Sequence, residues 1–272
     1  MEEQFCRFCS LETVFFCAAP ILNHIGEYFK CSNCSSVQVV DPFWLEEAHS
    51  SAISKFDTGL ASRCISSANL IGTLLKLEGK ESSTGIDWAG GTGLLTRLLR
   101  DQGFKIQSHD KYAHPVHAVG FEATDTDAKS EVVFVSAIEC IEHLENPVDE
   151  IYDFTEAKDY FFFTIEIISP KTPDPSKMEW WYYMPDSGQH VTFPTLKGIN
   201  YFKERLGFQY HFKVGSLQVF SKRRLKVITR ILLKTRISRR ILIVVIPLIN
   251  SRRYSLTNQD QKDLIARSKK TL

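Results

Sequence analysis

The chain has 272 residues, 43% of them hydrophobic and 24% charged, with a formal net charge of +1. That balance excludes a disordered or collagen-like chain and leaves length for one full-sized domain with small attachments. The longest apolar run, 241–249, is too short to span a bilayer and contains Pro247, and the opening Met1-Glu2-Glu3-Gln4 lacks the basic and apolar character of a secretory signal.

A cytoplasmic location is the resulting expectation, with the seven cysteines as reduced thiols or metal ligands. Four of them form two pairs, Cys6-Arg-Phe-Cys9 and Cys31-Ser-Asn-Cys34, separated by 21 residues. Two thiolates in each short turn can close a tetrahedral, structural Zn2+ site with a hairpin between them. Residues 1–40 therefore read as a zinc ribbon with almost no core of its own, folded by its metal. Cys17 and His24 lie between the pairs as bystanders. Residues 41–80 turn helical (Trp44 to Ala48, then Leu60 to Leu77), with an interruption at Phe56-Asp57-Thr58-Gly59, and form a helical linker to the rest of the chain.

Gly85-Ile86-Asp87-Trp88-Ala89-Gly90-Gly91-Thr92-Gly93 predicts a strand, a glycine turn and a helix start, and residues 105–109 predict a second strand ending at Asp110. Glycines let the backbone pass close to a ligand, and the amides of the helix start face its polar atoms. Asp110 lies 19 residues after Gly91, the distance at which an acid can take ribose hydroxyls. The third small residue of a dinucleotide fingerprint is missing, because Thr96 holds that place. Asp87 instead suits a ligand with an ammonium group, held directly or through water, while Gly90 to Gly93 leave room for a sulfonium and its amino-acid arm. Ala89 fits such a turn only with negative φ.

After Asp110 the usual third strand is reduced, since 121–129 is polar. Residues 132–144 predict a buried parallel strand that turns polar at its carboxyl end, so Glu139, Glu142 and His143 would face the same crevice as Asp110. Residues 160–165 predict another buried strand. Pro170, Pro173 and Pro175 then mark a loop leading into Trp180-Trp181-Tyr182-Tyr183 and Gly188-Gln189-His190. Its rings either wall an acceptor pocket, with Trp181 and Tyr183 stacking and Gln189 and His190 hydrogen bonding, or form an aromatic mini-core. A helix over 195–206 and a hairpin (208–214, 217–220) close the domain.

Asp87, Ala89, Gly91 and Gly93 resemble the first motif of class I S-adenosylmethionine (SAM) methyltransferases, Asp/Glu-x-Gly-x-Gly-x-Gly, with Ala89 replacing the first glycine. Glu-Cys-Ile-Glu-His-Leu-x-x-Pro, ending at Pro147, is similar to Glu-Val-Ile-Glu-His-Leu-x-x-Pro of many small-molecule methyltransferases. With the paired cysteines and Trp-Trp-Tyr-x-x-Pro-x-x-Gly-Gln-His-Val-x-Phe, residues 1–220 resemble zinc-ribbon class I methyltransferases of bacterial sugar and polysaccharide biosynthesis. The resemblance implies an α/β, Rossmann-like sheet with helices on both faces (81–220), residues 41–80 as a substrate lid or plain packing helices, and SAM held by Asp87, Ala89, Gly90, Gly91, Gly93, Asp110 and Glu139. The implied acceptor is a sugar, nucleotide-sugar or lipid-linked glycan; a quinone or phenol is the alternative, and a catalytically silent SAM-fold binding protein is the third reading. A hydroxyl acceptor needs a general base, and His143, then His190, are the candidates, with Glu142 orienting them. No further carboxylate and histidine cluster marks a catalytic metal.

The tail, 221–272, is different in charge. Residues 221–256 hold eleven Lys or Arg and no acid, which leaves residues 1–220 strongly acidic. Leu225, Ile228, Ile231, Leu232, Ile237, Ile241, Leu242 and Val245 recur at helical spacing. The stretch reads either as a helix docked on the acidic body or as one lying on an anionic membrane, at the inner membrane face. Nucleic acid is disfavoured, since Tyr254 is the sole aromatic residue there.

Overall fold

A computed structural model describes residues 4–49, 57–124, 132–169 and 171–269. Met1 to Glu3, Phe56, residues 125–129 and Pro170 of the sequence reading lie outside them.

The main sheet has six strands: β4 (Thr84–Trp88), β5 (Lys105–His109), β6 (Phe134–Ala137), β7 (Tyr160–Thr164), β9 (Tyr210–Val214) and β10 (Leu217–Ser221), in the order β5-β4-β6-β7-β10-β9. The first four run parallel, and β10 and β9 pair antiparallel at the far edge. Side chains alternate across a strand, so a strand apolar at every position must be buried on both faces. In β7, Phe161 and Phe163 enter one core, while Tyr160 and Phe162 enter the other. The expected third strand is reduced to one parallel bridge between Ser108 and Glu122 among the described residues. The strand expected over 132–144 is shorter than that run, because the chain leaves the sheet after Ala137 and makes a 3-10 turn at Ile141–His143.

The second core is covered by α2 (Leu60–Leu77), α3 (Leu94–Asp101) and the tail, which forms α6 (Val227–Lys234), α7 (Arg236–Tyr254) and α8 (Thr257–Ser268). The tail is docked on the body, and its one buried acid is among the contacts that hold it. Asp260 of α8 is buried against Arg100 (2.6 and 2.8 Å) and Arg97 (2.9 Å) of α3. An acid of the basic tail thus sits on two arginines of the acidic body.

The first core is covered by α4 (Pro147–Thr155), α5 (Leu196–Arg205) and the ribbon, whose strands are β1 (Thr13–Ile21), β2 (His24–Cys31) and β3 (Val37–Val40). The ribbon is not the coreless module expected of 1–40. Its sheet takes a fourth strand, β8 (Thr192–Phe193), from the other end of the chain. Phe8 packs edge-on against Phe202, and Cys6 and Phe8 share a core with Phe161 and Phe163. The Arg7 guanidinium donates to the Val191 carbonyl (2.6 Å), Thr192 Oγ1 (2.6 Å) and the Val39 carbonyl (2.7 Å). Burial lowers its pKa to about 10, and these three acceptors offset the cost of placing the charge there. The Trp44 indole N–H donates to the Gly188 carbonyl, so the ribbon side and α1 (Leu45–Ala48) hold the loop carrying His190.

Candidate active site

Parallel strands β4 and β6 pair in register, Asp87 opposite Ser136, so the turns after them open on the same sheet edge. After β4 the chain bends through left-handed backbone at Ala89 (φ 53°), Gly91 (φ 55°) and Gly93 (φ 76°). The negative φ expected of Ala89 is therefore corrected. The turn imposes on its methyl a conformation that costs about 1–2 kcal/mol for an L-residue. At Gly93 a Cβ would stand 2.8 Å from Pro115 Cβ, so packing forbids a side chain there. At Gly90 it would stand 2.5 Å from Ser108 Oγ. Around Gly91 no atom lies within 4 Å of that point, which leaves open space over the turn.

Asp87 does not line that space. Its side chain is fully buried, accepting from Ser136 Oγ (2.8 Å) and Thr96 Oγ1 (3.1 Å). Burial pushes its carboxyl up to about 7, against the lowering by those hydroxyls. It braces the turn from beneath rather than meeting an ammonium group directly. Asp110 is the acid at the rim: Oδ2 accepts from the Gly91 N–H (2.8 Å), and Oδ1 from those of Tyr112 (2.8 Å) and Ala113 (2.7 Å). A carboxylate has about four acceptor positions, so three amides leave one for a ribose hydroxyl. Glu139, also at positive φ (54°), is paired with Arg63 Nε at 2.7 Å rather than with the glycine turn. Arg63 also binds Asp57 at 2.6 Å, and its link to Glu139 was invisible in the sequence because the two lie far apart in the chain.

The turn after β6 builds a second centre. The Val191 N–H donates to the Glu142 carbonyl (2.8 Å) and Thr192 Oγ1 to that of Leu144 (2.8 Å), joining the His190 loop to the Glu142–His143 turn. Glu142 is fully buried, and its Oε1 accepts from the Tyr182 hydroxyl at 2.7 Å. Burial, reinforced by nearby Glu139, pushes its carboxyl up to about 8. His190 Nδ1 lies 2.7 Å from the Tyr182 carbonyl, and its ring centroid is 5.1 Å from that of His143. His143 Nδ1 lies 3.2 Å from His49 Nε2, and His49 Nδ1 lies 2.9 Å from the Leu45 carbonyl. Burial lowers the pKa of His143 well below 6.5 and that of His190 to about 4, so both imidazoles are neutral at pH 7. Donor atoms of Glu142, His143 and His190 all lie within 4.8 Å of one another. The structure thus brings together the three residues that the sequence grouped for acid–base work, in an arrangement that the sequence did not mark as a metal site. His49 and Tyr182 were missed because each comes from a different segment.

The aromatic loop is mostly the mini-core. Tyr183 is buried against Tyr28 and Phe193, with its hydroxyl on the Pro173 carbonyl, which corrects its assignment to the acceptor wall. Gln189 Nε2 donates to the Ala48 carbonyl (2.8 Å), beside His49. Trp181 alone presents its ring to solvent, at 68% exposure.

Sγ of Cys6 and Cys34 are 3.5 Å apart, those of Cys9 and Cys31 3.4 Å, and those of Cys9 and Cys34 3.7 Å. A metal held tetrahedrally at about 2.3 Å from each sulfur needs edges of about 3.8 Å, so the four thiols fit such an ion.

A family profile described as a methyltransferase domain matches residues 65–211. Among solved structures, the chain is similar to magnesium protoporphyrin IX methyltransferase from Synechocystis PCC 6803 with bound SAH (TM-score 0.43, 12% identity, covering 66% of this chain and 91% of that one). It is also similar to an O-methyltransferase family protein from Burkholderia thailandensis (TM-score 0.44, 14% identity, 68% and 69%). Human N-acetylserotonin methyltransferase in complex with SAM gives a TM-score of 0.40 at 11% identity, covering 67% and 66%. The chain spans 63% of the length of a candidate O-methyltransferase from Nostoc punctiforme PCC 73102. No curated protein matches it. With more than half of the 272 residues inside the family match, the chain belongs to the methyltransferase-domain family.

Proposed function

We propose that the chain transfers the SAM methyl group to a hydroxyl of a small acceptor, seated between the glycine turn and the Glu142–His143–His190 cluster. The observation that carries this reading is the pair of neutral imidazoles beside the glycine turn, His143 on the turn after β6 and His190 on the loop bonded to it. In the step, the acceptor oxygen forms a bond to the methyl carbon, the C–S electron pair leaves with sulfur, and the O–H proton is lost. A methyl ether, the neutral thioether and a proton result. Alignment of oxygen and methyl about 3–3.5 Å apart supplies most of the acceleration, and removal of the proton adds roughly 10²–10⁴. The cluster supplies bare imidazole nitrogens for that proton, His143 first.

A sugar, nucleotide-sugar or glycan hydroxyl is the acceptor class we favour, supported by the exposed Trp181 indole, which offers a stacking face for a pyranose ring. A quinol or phenol is the second reading, supported by the same face. Incubating the protein with labelled SAM and a panel of both classes tests the assignment. Label entering sugars alone supports it, and label entering phenols alone overturns it. The four cysteines are assigned a structural Zn2+ on the sulfur spacing given above.

The tail carries a further proposed contact. Ile228, Ile231, Ile237, Ile241, Val244 and Val245 are exposed on α6 and α7, among Lys234, Arg236 and Arg240. An outward face of that chemistry suits an anionic bilayer, which would bring a lipid-linked acceptor close. Co-sedimentation with anionic vesicles that survives Ile237→Glu/Ile241→Glu would contradict it.

A further inference from the structure

The geometry points to a divalent-cation site formed by Glu142, His143 and His190, beside the methyl-donor turn and separate from the four cysteines. The inference deepens the proposed hydroxyl transfer and rests on that reading for its chemistry, though not for the binding itself.

Three observations carry it. Glu142 is 1% exposed, yet its Oε2 has no hydrogen-bond partner, while Oε1 is held by Tyr182. A buried carboxyl oxygen without a partner is costly, and a cation that displaces its proton is one of the few groups that satisfies it. Both imidazoles are also turned with a lone pair to spare. His190 Nδ1 must donate to the Tyr182 carbonyl, which leaves Nε2 bare. His49 Nδ1 must donate to the Leu45 carbonyl, so its Nε2 accepts from His143 Nδ1, and His143 Nε2 is bare in turn. Finally, donor atoms of the three side chains converge within 4.8 Å. An ion at about 2.1 Å from each draws them to roughly 3–3.4 Å apart, which small side-chain rotations supply.

The outer contacts are those that metal sites use. A ligating histidine usually gives its other N–H to a carbonyl or similar acceptor, and a ligating carboxylate is itself hydrogen bonded. Tyr182 performs both tasks, its carbonyl on His190 and its hydroxyl on Glu142. His49 is the positioning residue for His143. Two histidines and one carboxylate suit a first-row divalent ion such as Mn2+, Co2+ or Zn2+, and leave coordination positions open. An acceptor oxygen entering one of them becomes more acidic, so its proton leaves to solvent water before the oxygen takes the methyl group. The bare nitrogens then act as ligands rather than as the base.

The test uses the full chain loaded with one equivalent of Zn2+, which the thiolates take first, then titrated with Mn2+ while the free Mn2+ signal is followed by electron paramagnetic resonance. One further ion per chain is expected. Glu142→Gln and His190→Gln, each folded by circular dichroism, should weaken binding at least tenfold, and Tyr182→Phe should weaken it less. Co2+ added in place of Mn2+ should show ligand-field bands without a sulfur charge-transfer band. Absence of binding at millimolar Mn2+ and Co2+, or equal binding in wild type and both Gln variants, overturns the site. Transfer that survives complete chelation of this ion overturns its part in the chemistry while leaving the transfer reading intact. An ion bound by a protein that never stabilises with SAM sinks the transfer reading instead.

Discussion

The glycine turn and the histidine cluster sit on neighbouring parallel strands, yet they are built in opposite ways. The turn is one contiguous stretch, residues 87 to 93, whose shape follows from glycines at positive φ and one helix start. The cluster collects His49, Glu142, His143, Tyr182 and His190 from three regions, and its register depends on hydrogen bonds from Val191 N–H and Thr192 Oγ1 to the turn after β6. The first centre is local and rigid. The second is only as well placed as the ribbon and loop that bring its parts together.

A substitution within the cluster should therefore remove activity and spare the fold. His143→Ala is expected to lower kcat by about 10²–10⁴, whether its imidazole serves as base or as ligand, with the melting temperature nearly unchanged. A variant keeping near-wild-type kcat would move proton removal elsewhere. Arg7→Ala strikes the support instead. It strips the Val191 and Val39 carbonyls and Thr192 Oγ1 of a shared donor, so we expect a loss of about 2–3 kcal/mol by denaturant titration, with lower activity as His190 loosens. Unchanged stability would show that the ribbon does not hold the loop.

Much of the fold was legible in the sequence. The strand–turn–helix unit, the Asp110 spacing, β7, α5 and the closing hairpin could be read because local pattern dictates each. The unbroken apolar run of β7, capping by Thr195 and glycine-ended helices leave marks in a few adjacent residues. The cysteine pairs were legible for the same reason. What stayed hidden depends on distance in sequence: Arg7 reaching 184 residues to Val191, β8 completing the ribbon sheet, and His49 reaching His143. The turn needed correction at Ala89 and, for Asp87, in the direct contact alone, because no pattern reports the sign of φ at the first or the depth at which the second sits.

Those corrections yield the smaller effects. The carboxyl of Asp87 is raised to about 7 in the fold from an unfolded value near 3.9, so the folded state binds the extra proton between those values. Its contribution is present in full below the unfolded value and is lost as pH rises through 7. The melting temperature of wild type relative to Asp87→Asn should thus fall between pH 5 and pH 8, and a flat difference would contradict the burial argument. Ala89→Gly relieves the left-handed alanine and should stabilise the chain by up to about 1 kcal/mol, offset partly by the entropy of glycine in the unfolded chain. A destabilised glycine variant would mean that the alanine methyl makes contacts exceeding its strain.

The division between turn and cluster is tested most directly by titration calorimetry with S-adenosylhomocysteine on wild type, Asp110→Ala and His143→Ala. One binding site per chain is predicted, weakened more than tenfold by Asp110→Ala, which removes the acceptors for Gly91 N–H and a ribose hydroxyl, and nearly unaffected by His143→Ala. No binding at millimolar ligand, or equal losses in the two variants, would contradict the account.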